Sequence, residues 1–253
     1  MTNIALIGYG KMGRLVERVA VQRGHRIAAI VDPACENAAR DITEDSVGGA
    51  DVCVDFTRPD AVLDNIRKAA ALRKHLVVGA TGWLHHMDEA KAIVRQYGVG
   101  LVWSPNFSVG VAAFLQLLAH ASRIFNNLDE YDVMGVEFHH RGKADSPSGT
   151  AKRIVEILLE NIERKKTAVM DRLDGPIQPE AIHFASVRGG SIPGVHSVVF
   201  DGPNDTIELT HTARNREGFA SGAVAAVEFI KHRKGFYDMN DMLDELLGGD
   251  KDV

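Results

Sequence analysis

Two adjacent histidines, a nearby lysine and a Ser-Gly-Thr triplet are the residues of this chain best suited by type and spacing to do chemistry. They share one stretch, Val136-Glu-Phe-His139-His140-Arg141-Gly-Lys143-Ala-Asp-Ser-Pro147-Ser148-Gly149-Thr150-Ala151. Lysine and histidine exchange protons, and Ser148 and Thr150 bring hydroxyls to a helix start. Ser148 is a candidate N-cap, and Ile154, Ile157 and Leu158 keep helical register across 149–164. Such a start leaves backbone N–H groups unpaired at the positive end of the helix dipole, which seats a carboxylate or phosphate. Lys143, His139, His140 and Arg141 would then stand beside the seated anion. The bland alternative is an ordinary capped helix. As a metal chelate the histidine pair is poor, because neighbours on a strand point to opposite faces.

The elements that must hold these residues are a β-rich run at 131–138 before the loop and the helix after it. A second constellation stands at the amino terminus. The apolar strand 3–7 runs into Gly8-Tyr9-Gly10-Lys11-Met12-Gly13, an amphipathic helix follows from about Arg14 to Gln22, and a second strand, 27–32, ends at Asp32. Strand, glycine loop, helix and acid-ended strand make a βαβ dinucleotide-binding unit. Gly8 makes the tight turn, Gly10 lets the backbone approach a pyrophosphate, Gly13 lets helix and strand pack closely, and Asp32 accepts ribose hydroxyls. Asp32 followed by Pro33 favours NADH over NADPH, and Lys11 argues the other way.

The stretch Glu137 to Ala151 resembles the substrate motif of the 4-hydroxy-tetrahydrodipicolinate (dihydrodipicolinate) reductase family, and the resemblance runs across essentially the whole chain. It implies NAD(P)H-dependent reduction of 4-hydroxy-tetrahydrodipicolinate to tetrahydrodipicolinate in lysine and diaminopimelate synthesis. His139 and Lys143 would be the acid–base pair, and His140, Ser148, Gly149 and Thr150 would bind the substrate. The loop Gly79-Ala80-Thr81 would carry contacts on the nicotinamide side, and Ser104-Pro105-Asn106-Phe107 would contact the cofactor and lead into the second domain. Two departures from the family's common pattern are a glycine loop shorter by one residue and an alanine, Ala80, where threonine is usual. The family also implies a homotetramer built through the second domain's sheet, and a cleft between domains that closes.

The rest of the chain fits an α/β fold with two domains. One is a Rossmann-type parallel-sheet nucleotide domain, 1–106 and 216–253. The other is a smaller α+β mixed-sheet domain for substrate binding and tetramerisation, 107–215. Strands are expected at 51–56, 76–78 and 100–103, with helices at 60–72, 87–97 and 111–125 and a weakly structured acidic segment at 36–49. The second domain is read as four strands (131–138, 182–188, 195–201, 206–212) and two helices, without βαβ alternation. Helices at 218–232 and 239–247 return to the first domain. Arg188 and the stretch His211-Thr-Ala-Arg214-Asn-Arg216, Arg214 ahead of Arg188, are candidate partners for a dicarboxylate, and 189–196 resembles the family's loop for subunit contacts.

With 253 residues, 45% of them hydrophobic, the chain can bury a large core, and its net charge of −5 argues against a nucleic-acid surface. No targeting segment or membrane span is visible, so a soluble cytoplasmic protein is expected. Cys35 and Cys53 stand in unrelated contexts as reduced thiols, and no metal site is expected. Two rival functions remain. One is a dehydrogenase for a semialdehyde or amino acid, disfavoured because neither cysteine is placed as a nucleophile. The other is a dinucleotide-binding sensor without turnover, disfavoured by the intact His139, His140 and Lys143.

Overall fold

The computed structural model describes residues 1–246. Of the expected last helix, Leu247 lies outside the described residues. The chain divides into two compact units: Met1–Val109 together with the chain from Glu217 onward, and Gly110–Arg216.

In the first unit the order is β1 (Asn3–Ile7), α1 (Lys11–Gln22), β2 (Arg26–Val31), α2 (Glu44–Val47), β3 (Val52–Asp55), α3 (Pro59–Ala71), β4 (His75–Val78), α4 (Met87–Tyr97) and β5 (Gly100–Trp103). A short 3-10 turn, Leu84–His86, precedes α4. After the second unit the chain returns as α7 (Glu217–Ile230), β11 (Gly235–Tyr237) and α8 (Met239–Leu246). The six strands form one parallel sheet in the order β11-β5-β4-β3-β1-β2. β3 (Val-Cys-Val-Asp) is buried at every residue, as a strand covered on both faces must be. Strand order reverses about β1, which pairs with both β2 and β3, and this is where such sheets open a crevice at their carboxyl ends.

α1 begins at Lys11, not at Arg14. Gly13 lies inside its first turn because only a residue without Cβ fits there; an added Cβ would overlap the Gly8 carbonyl oxygen. The acidic segment at 36–49 holds the short helix α2, capped by Thr43 and Ser46 in a reciprocal box. α7 lies along α1: Arg23 donates to the Ser221 carbonyl and to Glu228 at 2.7 Å, and His25 meets Glu228 at 2.9 Å.

The second unit contains α5 (Val109–Asn126), β6 (Asp132–His139), α6 (Gly149–Asn161), β7 (Thr167–Val169), β8 (Ala181–Arg188), β9 (Val195–Asp201) and β10 (Thr206–Thr212). It has five strands, not four, in the order β10-β9-β6-β8-β7. The extra strand β7 pairs in parallel with β8, and β6 also runs parallel to β8 while β9 is antiparallel to β6 and β10. The sheet is therefore mixed, with a βαβ-like crossover through α6 that turn signals alone did not reveal. Buried residues of β6 alternate (Val133, Gly135, Glu137, His139), and a core of Phe114, Leu118, Ile154, Leu158, Phe184 and Phe200 packs in the same unit. His196, the last residue of the 189–196 stretch, lies on β9 and is buried.

Candidate active site

The central strand β6 delivers the expected acid–base residues. His139 is its last residue, on the buried face, and His140 follows half-buried in the loop. Two backbone bonds hold the loop's start against the 190–192 turn, His140 N–H to the Ile192 carbonyl (2.8 Å) and Arg141 N–H to the Gly190 carbonyl (3.3 Å). Lys143 N–H closes a tight turn onto the His140 carbonyl at 3.1 Å, and the Lys143 ammonium donates to Asp145 at 2.7 Å. That pairing holds the Asp145 carboxyl below its usual range.

α6 starts where its cap requires. The Ser148 hydroxyl accepts from Ala151 N–H at 3.1 Å, while Ser148 N–H donates to Glu137 at 3.0 Å. Ser148 is buried, and both its N–H and its hydroxyl are engaged inside the protein. Since Lys152 N–H takes the Ser148 carbonyl, the first-turn donors left for an anion are the N–H groups of Gly149 and Thr150 and the Thr150 hydroxyl. A cavity of about 600 Å³ is lined by His140, Arg141, Gly142, Gly190, Ser191 and Arg216. Arg216 belongs to the 211–216 stretch expected to offer cations to a dicarboxylate. Arg188 is committed elsewhere, to Glu137 at 2.8 Å and to the Asp145 carbonyl at 3.0 Å, and Arg214 does not line the cavity.

Burial drives the His139 imidazole down to about 4, with the nearby charges of His196, Lys143 and Arg188 helping and the Glu137 carboxylate opposing. His139 is therefore neutral near pH 7. For a depressed histidine the acid limb of kcat/KM falls near pH 4, well below the ordinary 6.5. The unfolded chain takes up the proton first, so this group also costs the fold stability as pH drops from about 6.5 toward about 4. A pH–rate profile with a limb at the ordinary histidine value would refute the assignment.

Glu137, His139 and His196 bring ligand atoms within 4.8 Å of one another, a spacing that a metal ion could use. The Arg188 guanidinium already rests on the same carboxylate at 2.8 Å, so a second cation would meet a fixed positive charge. The donor set is better matched to an ion-pair network.

In the first unit the expected cofactor residues follow the carboxyl ends of β1, β2, β4 and β5, which share one edge because the strands are parallel. Gly8 has φ +85° and its N–H bonds the Val31 carbonyl at 2.8 Å. Gly10 is extended, with no atom within 4 Å of where a Cβ would stand, which leaves room for a ligand. Lys11 is exposed and Met12 half-buried. Asp32 accepts Tyr9 N–H at 2.7 Å and Ala34 N–H at 2.8 Å, so both carboxylate oxygens are held. Gly79 has no space for a Cβ, because the Phe56 ring lies there. The Ala80 carbonyl accepts from Trp83 (2.9 Å) and Trp103 (3.3 Å), and Thr81 is exposed beyond it. Ser104 and Asn106 fold their turn through side-chain bonds, Pro105 is exposed, and Phe107 is buried against Phe56 with ring centroids 6.2 Å apart.

Models of the two domains of dihydrodipicolinate reductase match the chain over most of its length, the N-terminal one over residues 2–107 and the C-terminal one over 110–243. The chain belongs to the dihydrodipicolinate reductase family. Curated relatives named 4-hydroxy-tetrahydrodipicolinate reductase include those of Christiangramia forsetii, 36% identical over 96% of this chain and 98% of the relative, and Ralstonia pickettii, 39% identical over 95% and 98%. The fold is shared with a solved dihydrodipicolinate reductase from Paenisporosarcina sp. TG-14, at TM-score 0.77 and 22% identity, covering 94% of this chain and 97% of that one.

Within this family frame, sequence reasoning missed Glu137 as a buried hub, and His196 altogether. The signal for His196 lay in register: Glu137 stands directly opposite Ser186 on β8 and His196 on β9, three polar residues in one row across the sheet.

Proposed function

We propose that this protein reduces 4-hydroxy-tetrahydrodipicolinate to tetrahydrodipicolinate with NADH or NADPH, in lysine and diaminopimelate biosynthesis. The observation that carries the reading is the family match over nearly the whole chain. The first unit is the dinucleotide-binding domain, the second the substrate-binding one. When bound, the reduced nicotinamide supplies hydride to the substrate ring. This chain's residues do the rest. Lys143 donates the proton that accompanies reduction and loss of water, and neutral His139 receives and returns protons beside it. The N–H groups of Gly149 and Thr150 hold one substrate carboxylate, and His140 with Arg216 and Arg141 receives the other end. Ser148 supports the seat as its cap.

NADH is the favoured cofactor. Asp32 is fixed by two backbone N–H groups and would oppose a 2′-phosphate. The reading further takes the protein to be a cytoplasmic homotetramer. The face of the second sheet opposite its core carries Met134 and Val187 at 42% and 43% exposure, an apolar surface suited to meeting another copy. No helix among the described residues is long and apolar enough to cross a membrane.

The test follows loss of reduced-nicotinamide absorbance, with substrate generated in place from pyruvate and aspartate semialdehyde. Turnover with NADH exceeding that with NADPH is the expected result, and no turnover with either removes the reductase reading. In Asp32→Asn the NADPH-to-NADH ratio of kcat/KM rises roughly tenfold or more, since a unit charge at contact distance counts for ~1–4 kcal/mol. An unchanged ratio would move cofactor choice away from Asp32.

A further inference from the structure

Behind the His139 ring lies a carboxylate to which the reaction described above gives no task. Glu137 is fully buried, and a carboxylate in that position is tolerated only when paired. One oxygen, Oε1, accepts three hydrogen bonds: from Ser148 N–H at 3.0 Å, the Ser186 hydroxyl at 2.8 Å and Arg188 at 2.8 Å. The other, Oε2, lies 3.4 Å from Nδ1 of His139 and 3.4 Å from Nε2 of His196. Oε2, His139 Nδ1 and His196 Nδ1 are buried, and no hydrogen bond closes on them among the described residues. The two histidine rings meet edge to face, 5.2 Å apart.

We propose that Glu137 is the positioning residue of the site: Oε1 anchors the start of α6, and Oε2 selects the Nδ1–H tautomer of His139, leaving Nε2 as the nitrogen that exchanges protons with substrate. Only the task of Nε2 rests on the reductase reading. A neutral imidazole carries one N–H, and its lone pair facing a carboxylate oxygen would be repelled, whereas an N–H there is attracted. A separation of 3.4 Å closes with a small ring rotation, as bonds of unliganded sites commonly do on substrate binding. Burial tends to neutralise Glu137, but its contacts with His196, Ser148, Arg188 and Ser186 outweigh this and hold it ionised. The opposite ring edge faces Gly194, where an added Cβ would stand 3.0 Å from Nε2, so the residue there leaves that nitrogen its space. The charged groups around the pair are Arg188 on β8, His196 on β9, and Lys143 and Asp145 in the loop, with His211 on β10 next to His196.

The substitution Glu137→Gln makes a sharp test. Its amide oxygen is claimed by the three donors at Oε1, which turns the NH₂ toward the histidines. That NH₂ can only donate to Nδ1, so His139 flips to the Nε2–H tautomer. Long-range proton–nitrogen correlation spectra of the full chain with labelled histidine read this directly, with His139 assigned by its loss in His139→Asn. The wild type is expected to show Nδ1–H, and Glu137→Gln to show Nε2–H with kcat lowered roughly 10- to 100-fold. Affinity for pyridine-2,6-dicarboxylate should hold, because the anchor to Ser148 survives, and Glu137→Asp should recover part of kcat. A purely structural role would instead weaken dicarboxylate binding and stability while leaving the tautomer alone, and would overturn the proposal. So would Nε2–H in the wild type, which needs no variant and therefore decides the matter even if Glu137→Gln fails to fold. The spectrum requires no substrate, so a wrong reaction and a wrong positioning role fail separately.

Discussion

Lys143→Ala is expected to lower kcat by roughly 10²- to 10⁴-fold, the usual contribution of a positioned proton donor, while NADH binding stays at the wild-type level. Lys143 belongs to the second unit, and the glycine loop, Asp32 and the Gly79 loop belong to the first. The Lys143 ammonium is held by Asp145 at 2.7 Å in a turn closed by its own backbone bond to His140, so its removal deletes a proton source without touching the core. Lys143→Arg should not restore turnover. A guanidinium keeps the charge but does not give up its proton, so rescue by arginine would mean that Lys143 acts only as a cation. Asp145→Asn should cost less than either. Single-turnover measurements with pre-bound cofactor separate chemistry from binding, and near-wild-type rates in Lys143→Ala would remove the lysine from the mechanism.

The second large effect lies at a residue with no chemistry of its own. Gly222 is buried within α7, and a Cβ there would overlap the carbonyl oxygen of Phe107. Backbone cannot swing aside as a flexible side chain would. Gly222→Ala must push α7 off the 104–107 turn, at a cost of about 1–3 kcal/mol or more. The displacement does not stop at Phe107, whose ring meets Phe56 edge to face, and the Phe56 ring fills the space beneath Gly79. Two of the loops assigned to the cofactor are thus tied to one helix, and NADH affinity should fall together with thermal stability. Gly218→Ala in the same helix is the control. The nearest atom to its added Cβ, Ser108 Oγ, is 3.8 Å away, an ordinary contact, so that variant should bind NADH normally. Normal NADH binding by Gly222→Ala would show that α7 does not set the turn.

Local patterns in the sequence revealed much of this architecture, and the misses share a cause. The strand–glycine loop–helix unit, the acid at Asp32 and the cap at Ser148 are short-range signals, and each is found within a few residues of its expected place. β7 and β11 were not anticipated: each is three residues long, and each exists because a neighbouring strand offers an edge to pair with. α1 starts three residues before the expected Arg14: glycine discourages a helix, whereas the close approach to Gly8 demands one at position 13. In the site, Lys143 and His139 were legible because chemistry resides in their side-chain type. His196 was not, since what matters is which residues lie across the sheet from Glu137; within the 211–216 stretch, only the fold shows that Arg216 and not Arg214 lines the cavity.

The return of the chain to its first unit also bears on the order in which the protein can fold as it is made. The segment Met1–Val109 leaves the ribosome before the second unit, yet it lacks the helix that lies along α1 and the strand that covers the edge of β5 until that second unit has been synthesised. The unit spanning Gly110–Arg216 is contiguous, so it can close its own sheet while the earlier segment waits with an apolar face uncovered. Ribosome-bound or truncated chains ending before α7 should therefore display a finished second unit beside an unfinished first one, and the late helix acts as the fastening of a part made long before it.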